Sequence, residues 1–199
     1  MGKLQLDKGR VVQKLKTREA LLSKANELLR TGDLTSIEQV AKASGISKAT
    51  AYRYFTKLDA LKREASLQLK SETPENLFKD LAEDDLERRL ERLINYHFTL
   101  FIENEHEFRL FLSSVISESL TDKQTQLRGG RRIALIREAL LPLRPTISEY
   151  AFDQMVYALS MVFGIESVTI LRDLCGLNDK GILENWRWTV SRIVYGSSK

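Results

Sequence analysis

The fold is decided by the segment SIEQVAKASGISKATAYRYF, which occupies residues 36–55. Its first part predicts a short helix over 36–43, and Ser47 is positioned to cap a second short helix that ends near Phe55. Gly45 lies in the turn between the two helices, where a positive φ causes no clash with a Cβ atom. Two short helices that cross steeply at a tight turn form a helix-turn-helix, and the segment therefore predicts this motif.

The inward positions of both helices carry the residue types that the motif requires. The first helix needs a small residue where the second helix crosses it, and Ala41 is that residue. Ile46 follows the turn and can fill the core. The remaining inward side chains are Ile37, Val40, Ala51 and either Tyr54 or Phe55.

The outward side chains of the second helix are suited to duplex DNA. A recognition helix places the residues of its first turns against base edges in the major groove. Lys48 and Arg53 can contact phosphate or guanine, while Thr50 offers a hydroxyl and a methyl group. The predicted DNA-binding residues are Thr35, Ser36, Ser47, Lys48, Ala49, Thr50, Tyr52, Arg53, Tyr54 and Lys57. The alternative is a surface helix that carries ordinary polar residues beside core aromatics.

The charge of the chain is unevenly distributed. Residues 1–70 hold 15 Lys and Arg against 7 Asp and Glu, whereas residues 71–199 hold 16 against 20. A basic first part joined to a mildly acidic remainder favours a polyanion as the partner of the first part. An uneven surface that only interacts with solvent is the alternative.

Residues 1–16 are predicted to form a basic N-terminal arm, either a loose segment or a frayed helix start. Its cations can reach the minor groove of bound DNA, and a disordered basic tail is the alternative. The first regular helix is predicted to run from Thr17 to about Leu29. The cationic residues of the arm are Lys3, Lys8, Arg10, Lys14 and Lys16.

Helical periodicity continues through the rest of the chain and predicts an all-α fold. The sequence divides into a helix-turn-helix DNA-binding domain with three N-terminal helices over 17–70 and a larger helical regulatory and dimerisation domain over 71–199. An increase in acidic residues near 71–85 marks the boundary. Further helices are predicted over 58–71, 86–103, 106–119, 126–141, 148–175 and 180–195, with a helical turn near 76–82.

Composition and termini favour a cytoplasmic protein. One cysteine excludes an internal disulfide framework and suits a reducing compartment. The N-terminal sequence MGKLQLDKGR has no apolar stretch of the kind found in secretory signals. The uncharged run over 155–165 has the length of a buried helix rather than a membrane span, so we expect no contact with a membrane.

The motif over 36–55 resembles the DNA-binding pattern of the TetR family of transcriptional regulators. The shared features are a first helix with small residues, a Gly turn and a recognition helix that ends in Tyr-x-Tyr-Phe. The resemblance covers residues 18–61, and residues 163–188 resemble the last two helices of many members. One departure is Leu58, where the family often has a basic residue that contacts phosphate. Lys57, its neighbour, is the candidate replacement.

The resemblance implies a homodimer. Helix-turn-helix proteins usually bind DNA as two-fold dimers, because one recognition helix reads few base pairs. The segment 148–175 is apolar on several sides, and pairing it and the last helix with their copies gives a four-helix interface. A monomer with a thick core is the alternative. The predicted interface residues are Phe152, Met155, Leu159, Ile170, Leu174, Trp186 and Val190.

The resemblance also implies a regulatory pocket and a ligand-responsive function. The candidate lining residues are Tyr96, His97, Phe101, Phe111 and Phe163, although a packed core requires the same residue types. The expected function is a repressor that leaves a palindromic operator when an unknown small-molecule effector binds. The second hypothesis is a nucleoid-associated or adaptor DNA-binding protein that is regulated by a protein partner.

An enzymatic function is disfavoured by the residue inventory. Two histidines and one cysteine form no neighbouring Cys-His pair and no metal-ligand spacing, and no Gly-rich phosphate loop is present in the sequence. We therefore expect no catalytic residue, no metal site and no cofactor.

Overall fold

The computed structural model of the chain describes residues 2–69, 71–121 and 131–196. Within these ranges the chain forms eleven α-helices and no strand. This confirms the predicted all-α fold class, with an N-terminal helix-turn-helix domain followed by a helical region.

Contacts between residues divide the chain into two compact units. The first comprises Met1–Ser71 with Leu110–Gly129, and the second comprises Glu72–Arg109 with Gly130–Lys199. The predicted domain boundary near residue 71 stays a prediction, and the units differ from the predicted domains in their assignment of Leu110–Gly129.

Four helices precede residue 70 in the first unit. They are α1 (Gly2–Thr31), α2 (Ile37–Ala43), α3 (Lys48–Tyr54) and α4 (Leu58–Leu69). The helices α2 and α3 are the two short helices that the central motif predicts.

The first helix begins earlier than predicted. It starts at Gly2 rather than at Thr17, so the helix includes residues 2–16 of the predicted arm. Thr17 does not cap a helix start, because its hydroxyl donates to the Gln13 carbonyl at 2.9 Å within the helix. The side chains of residues 2–12 lie outside the described part of the structure, and the contact of the arm with the minor groove stays a prediction.

The turn between α2 and α3 is closed by two backbone hydrogen bonds. After Ser44, the Gly45 N–H donates to the Lys42 carbonyl at 3.2 Å and the Ile46 N–H donates to the Ala41 carbonyl at 2.9 Å. These bonds form a Schellman motif, which requires a left-handed residue just after the helix. Gly45 has a φ of 65°, so the turn needs the residue that adopts this conformation without strain.

A hydrophobic core joins α1, α2, α3 and α4. Ala41 and Ala51 are almost completely buried, and their small side chains let α2 and α3 approach closely. Ile46 packs against the core from the turn. The buried cluster comprises Leu21, Leu22, Ala25, Leu34, Ile37, Val40, Ala41, Ala51, Tyr54, Phe55, Leu61 and Ala65. All the predicted inward positions of α2 and α3 therefore lie in the core or contact it.

An ion pair is buried in the same unit. Arg18 of α1 donates to the Glu64 carboxylate of α4, and the two residues are 4% and 6% exposed. The Arg18 guanidinium also lies 4.6 Å from the centre of the Phe55 ring. Because a buried charge is costly without a counter-ion, each partner requires the other, and the pair links α1 to α4.

The second unit contains the remaining helices. They are α5 (Pro74–Phe78), α6 (Leu86–Glu103), the start of α7 (Glu105–Thr121), α8 (Arg131–Ala139), α9 (Glu149–Val162), α10 (Ile165–Thr169) and α11 (Asp179–Tyr195). A 3₁₀ turn over Leu141–Leu143 follows α8, and a π-helical segment over Ile170–Leu174 follows α10. The part of the predicted helix 126–141 that precedes residue 131 lies outside the described residues.

The single helix predicted over 148–175 is interrupted between α9 and α10. Gly164 lies at the break, where an added Cβ would overlap the guanidinium of Arg132, and this guanidinium donates to the Phe163 carbonyl. Within the described residues no single helix is long and apolar enough to cross a membrane. Among the helices of the described ranges, α9 and Ile165–Leu174 meet the criteria of length and apolarity only as a pair, which is bent by 47°.

Glu64→Gln tests the buried ion pair. The substitution leaves the Arg18 guanidinium buried without its counter-ion, and we expect the free energy of unfolding to fall by about 3–5 kcal/mol. Urea denaturation followed by circular dichroism measures this change. The double variant Arg18→Met/Glu64→Leu removes both charges and should lose less stability than Glu64→Gln. An equal or larger loss in the double variant would contradict this account.

Candidate nucleic-acid interface

Side-chain caps fix the starts of α2 and α3. Ser47 Oγ accepts from the Thr50 backbone N–H at 3.1 Å and donates to the Thr50 hydroxyl at 2.9 Å. Ser36 Oγ accepts from the Gln39 N–H at 3.1 Å, and the Gln39 side-chain oxygen accepts from the N–H and hydroxyl of Thr35. The serine and threonine hydroxyls predicted to contact DNA, those of Thr35, Ser36, Ser47 and Thr50, therefore already form hydrogen bonds at the starts of the two helices.

The predicted DNA-binding residues of α3 and its flanks differ in exposure. The exposed ones are Ser47, Lys48, Ala49, Arg53 and Lys57, and the half-buried ones are Thr50 and Tyr52. Tyr54 is only 5% exposed and belongs to the hydrophobic core. The structure therefore corrects its predicted place at the DNA surface, because Tyr54 faces inward to anchor α3.

Arg53 presents its guanidinium in the last turn of α3. Its Cζ atom lies 5.7 Å from the centre of the Tyr54 ring, so the side chain extends along an aromatic face. Within the described part of the chain it forms no salt bridge. The five N–H donors of the guanidinium are thus available for a guanine edge or a phosphate.

An acid from α2 engages two residues of α3. Lys48 Nζ lies 2.8 Å from Glu38 Oε1, and the Tyr52 hydroxyl donates to the same oxygen at 2.9 Å. Lys48 Nζ also lies 5.8 Å from the centre of the Tyr52 ring. We call these three residues the Glu38 cluster. Lys48 and Tyr52 were predicted from the sequence, whereas Glu38 was missed. Its only signal in the sequence is an acidic residue that follows the inward-facing Ile37 of α2.

The contacts of the Glu38 cluster shift the pKa values of all three groups. The hydrogen bond from Lys48, aided by Tyr52, lowers the pKa of Glu38 from 4.5 to about 2. The same carboxylate raises the pKa of Lys48 and that of Tyr52. At neutral pH the cluster therefore contains one carboxylate, one ammonium and one neutral phenol.

Comparison with known proteins agrees with the geometry of the first unit. Residues 15–58 match the family described as the helix-turn-helix domain of resolvase. The matched region runs from within α1 to the first residue of α4. No curated protein and no solved structure matches the chain.

These findings identify residues 15–58 as a helix-turn-helix DNA-binding domain, and DNA is the partner that the domain supports. The match is to a resolvase-type domain and does not single out the TetR family. The domain supports a DNA-binding regulator as the class of the protein.

Four of the five residues predicted to line a regulatory pocket pack together in the second unit, and their role in ligand binding stays a prediction. His97 is 2% exposed, and its ring stacks on Phe163 at 4.9 Å and on Phe101 at 6.0 Å between centroids. Burial lowers the pKa of His97 to about 3, so the ring is neutral. The Tyr96 hydroxyl accepts from the Glu72 N–H at 2.9 Å. Phe111 belongs to the first unit, whereas the other four predicted residues lie in the second.

An open cleft of about 820 Å³ lies on the second unit, and we call it the α9–α11 cleft. None of the five predicted pocket residues lines this cleft. Met161 of α9 and Ile170 of the π-helical segment line it and are 73% and 53% exposed. Leu171, Thr189 and Ile193 also line it. The cleft thus presents apolar side chains to solvent.

The predicted dimer residues lie on the expected helices, but most of them face inward. Phe152, Leu159, Trp186 and Val190 are at most 2% exposed and form the core of the second unit, while Met155 is half-buried. Only Ile170 and Leu174 of the predicted set are largely exposed. In the described part of the second unit, the exposed large apolar residues that were not predicted from the sequence are Tyr150, Tyr157, Met161, Trp188 and Tyr195.

The part of the chain that the structure describes contains no group of three or more His, Cys, Asp and Glu placed to hold a metal ion. Cys175 is exposed.

Lys48→Met tests the Glu38 cluster in the absence of DNA. Removing the ammonium removes the hydrogen bond that does most to lower the pKa of Glu38, so this pKa should rise from about 2 towards 4.5. Carboxyl-detected NMR over an acid titration measures the change. Lys24→Met, which removes a lysine next to Glu27 on α1, is the control and should leave the pKa of Glu38 unchanged. An unaltered pKa in Lys48→Met would show that the two groups do not interact in solution.

Proposed function

We propose that the chain is a cytoplasmic, dimeric transcriptional repressor of the TetR type that binds a palindromic operator and leaves it when a small-molecule effector binds. The observation that carries the proposal is the exposed, cationic surface of α3 within a helix-turn-helix domain. The chain acts by binding rather than by catalysis, and it requires no cofactor.

The DNA contact is supported by the chemistry of α3 and its flanks. Lys48 and Arg53 supply positive charge on the same short helix, and Lys57 adds an exposed cation just after it. Ala49 leaves room for a thymine methyl group, and Thr50 offers a hydroxyl. These side chains divide into cations that bind phosphate or guanine and small residues that admit the helix into the groove.

Dimerisation is supported by the apolar surface of the second unit. Tyr157 and Met161 lie four residues apart on α9, and Ile170 and Leu174 lie four residues apart on the π-helical segment. Each of these four side chains is at least half exposed. Exposed apolar residues at this density are typical of a protein interface. A two-fold dimer would present two copies of α3 to half-sites about 34–36 Å apart, as palindromic operators require.

The effector response is supported by the resemblance of residues 163–188 to the last two helices of many TetR-family proteins. An effector that prefers a dimer with the wrong spacing of its two α3 helices weakens operator binding by the coupling energy, typically about 1–3 kcal/mol. In this mechanism α4 transmits the change, because it is the last helix of the helix-turn-helix domain.

A second candidate function is a DNA-binding adaptor or nucleoid-associated protein that is regulated by a protein partner. The observation that favours it is the placement of the predicted pocket aromatics, since His97, Phe101 and Phe163 pack against one another. In this case the exposed apolar residues at the α9–α11 cleft bind another protein. Copurification of a specific partner that alters DNA binding, without any small-molecule response, would support this candidate over the repressor.

Genome-wide mapping of bound DNA tests the proposed function. We expect a few strong sites that contain inverted repeats, located beside promoters whose genes indicate the effector class. Deleting the gene for this protein should raise the transcription of those genes. Binding spread evenly over the genome would contradict a repressor, and absence of binding would contradict a DNA-binding regulator.

Arg53→Ala tests the reading of bases by α3. We expect a loss of about 1–3 kcal/mol on the selected operator and relaxed preference at one base pair of each half-site. Anisotropy titrations against the operator and against random duplex measure both effects. Arg30→Ala, an exposed arginine at the end of α1, is the control and should change neither. An equal loss on both DNAs, with a shallower salt dependence, would show that Arg53 contacts only phosphate.

Met161→Glu tests the dimer. A carboxylate at the α9–α11 cleft would have to be buried in the interface, so we expect the protein to sediment as a monomer and to bind the palindrome at least tenfold more weakly. Lys180→Glu, which places a carboxylate on an 84% exposed side chain of α11 away from the cleft, is the control and should remain dimeric. A dimeric Met161→Glu variant would show that the interface lies elsewhere.

A further inference from the structure

The Glu38 cluster holds an acid against two side chains with which α3 would contact DNA. Glu38 Oε1 receives both the Lys48 ammonium and the Tyr52 hydroxyl, at 2.8 Å and 2.9 Å. The Lys48 side chain is 66% exposed and that of Glu38 is 39% exposed, so a second anion can approach. A DNA phosphate oxygen accepts hydrogen bonds from the same donors as a carboxylate oxygen does.

We propose that Glu38 is a specificity-determining residue, which competes with DNA phosphate for Lys48 and Tyr52. This inference rests on the proposed function, because it requires that α3 contacts DNA. In the free protein the carboxylate neutralises Lys48 and occupies the Tyr52 hydroxyl. On any duplex these two donors gain a phosphate only by leaving Glu38.

The competition weakens binding to arbitrary DNA more than it weakens binding to the operator. Phosphate contacts supply essentially all of the free energy of nonspecific binding, so an internal competitor lowers that term on every sequence. Base contacts of residues outside the cluster, such as Arg53, do not depend on the exchange. On the operator these base contacts hold α3 where Lys48 can exchange Glu38 for phosphate, whereas on random duplex Lys48 stays largely with Glu38. The ratio of operator affinity to random-sequence affinity is therefore larger with Glu38 than without it.

A salt titration detects the competition directly. Counterions leave DNA only where a cation neutralises a phosphate, so a Lys48 that stays paired with Glu38 on random duplex releases none. Without Glu38, the Lys48 ammonium neutralises a phosphate outright, and the slope of log K against log salt should become steeper by about 0.9 per protomer.

The competition is tested with the Glu38→Gln variant, and random-sequence duplex DNA is the probe. The amide oxygen can still accept from Tyr52, but the charge is lost. We expect binding to random duplex about two- to fivefold tighter per protomer, the range of an exposed ion pair, together with the steeper salt slope. Affinity for the selected operator should rise by less. Unchanged or weaker binding to random duplex, or an unchanged slope, overturns the proposal.

Two controls separate competition from a general charge effect. Glu27→Gln adds the same charge and releases Lys24 from its pair on α1, away from α3. Equal tightening in this variant would assign the effect to net charge and overturn the proposal. In the Glu38→Gln background, Lys48→Met should abolish both the gain in affinity for random duplex and the steeper dependence of log K on log salt. A gain that persists without Lys48 also overturns it.

Lys48→Met in the otherwise unchanged chain gives an independent test should Glu38→Gln fold poorly in circular dichroism. Because Lys48 stays largely with Glu38 on random duplex, its loss should leave the random-duplex salt slope nearly unaltered, whereas the loss of an ordinary phosphate contact would lower the slope by about 0.9 per protomer. The lower slope overturns the proposal. Wild-type protein that binds no duplex contradicts the proposed function itself, whereas wild-type binding with an unaltered Glu38→Gln variant removes only the competition.

Discussion

The close packing of α3 on α2 through the Gly45 turn is the constraint on which the DNA surface depends. Two hydrogen bonds and a left-handed glycine fix the direction in which the chain leaves α2. Ala41 and Ala51 then allow the two helices to approach, and the buried Tyr54 anchors the inner side of α3. The exposed cations of α3 owe their arrangement to these inward contacts, because a helix of seven residues has little stability of its own.

The charged residues of the first unit serve two separate purposes. Arg18 and Glu64 are buried together and hold α1 against α4, so their pairing contributes to structure and leaves no charge for DNA. Lys48 and Arg53 are exposed on α3, and of these two only Lys48 has a carboxylate partner within the described residues. The excess of positive charge in residues 1–70 is therefore only partly available to a polyanion. The position of each cation decides whether it stabilises the fold or can contact DNA.

The helix-turn-helix could be predicted from residues 36–55 because its packing is local: the caps, the turn and the inward residues all lie within that stretch. Other features depend on distant contacts. Arg132, from α8, occupies the space beside Gly164, where a helix whose own sequence reads as continuous is broken. The face of α9 that is buried depends on its neighbours, so the sequence indicated the helix but assigned buried Phe152 and Leu159 to the dimer surface. Glu38 was missed for the same reason, since its partners lie on α3.

The central claim is that the exposed surface of α3 contacts duplex DNA, and amide hydrogen exchange of the full chain with and without DNA measures this most directly. With a saturating genomic operator fragment, the account predicts slower exchange in residues 35–57, with the largest change in α3 (Lys48–Tyr54). Bound DNA that leaves exchange in α3 unchanged and protects only other segments would contradict it.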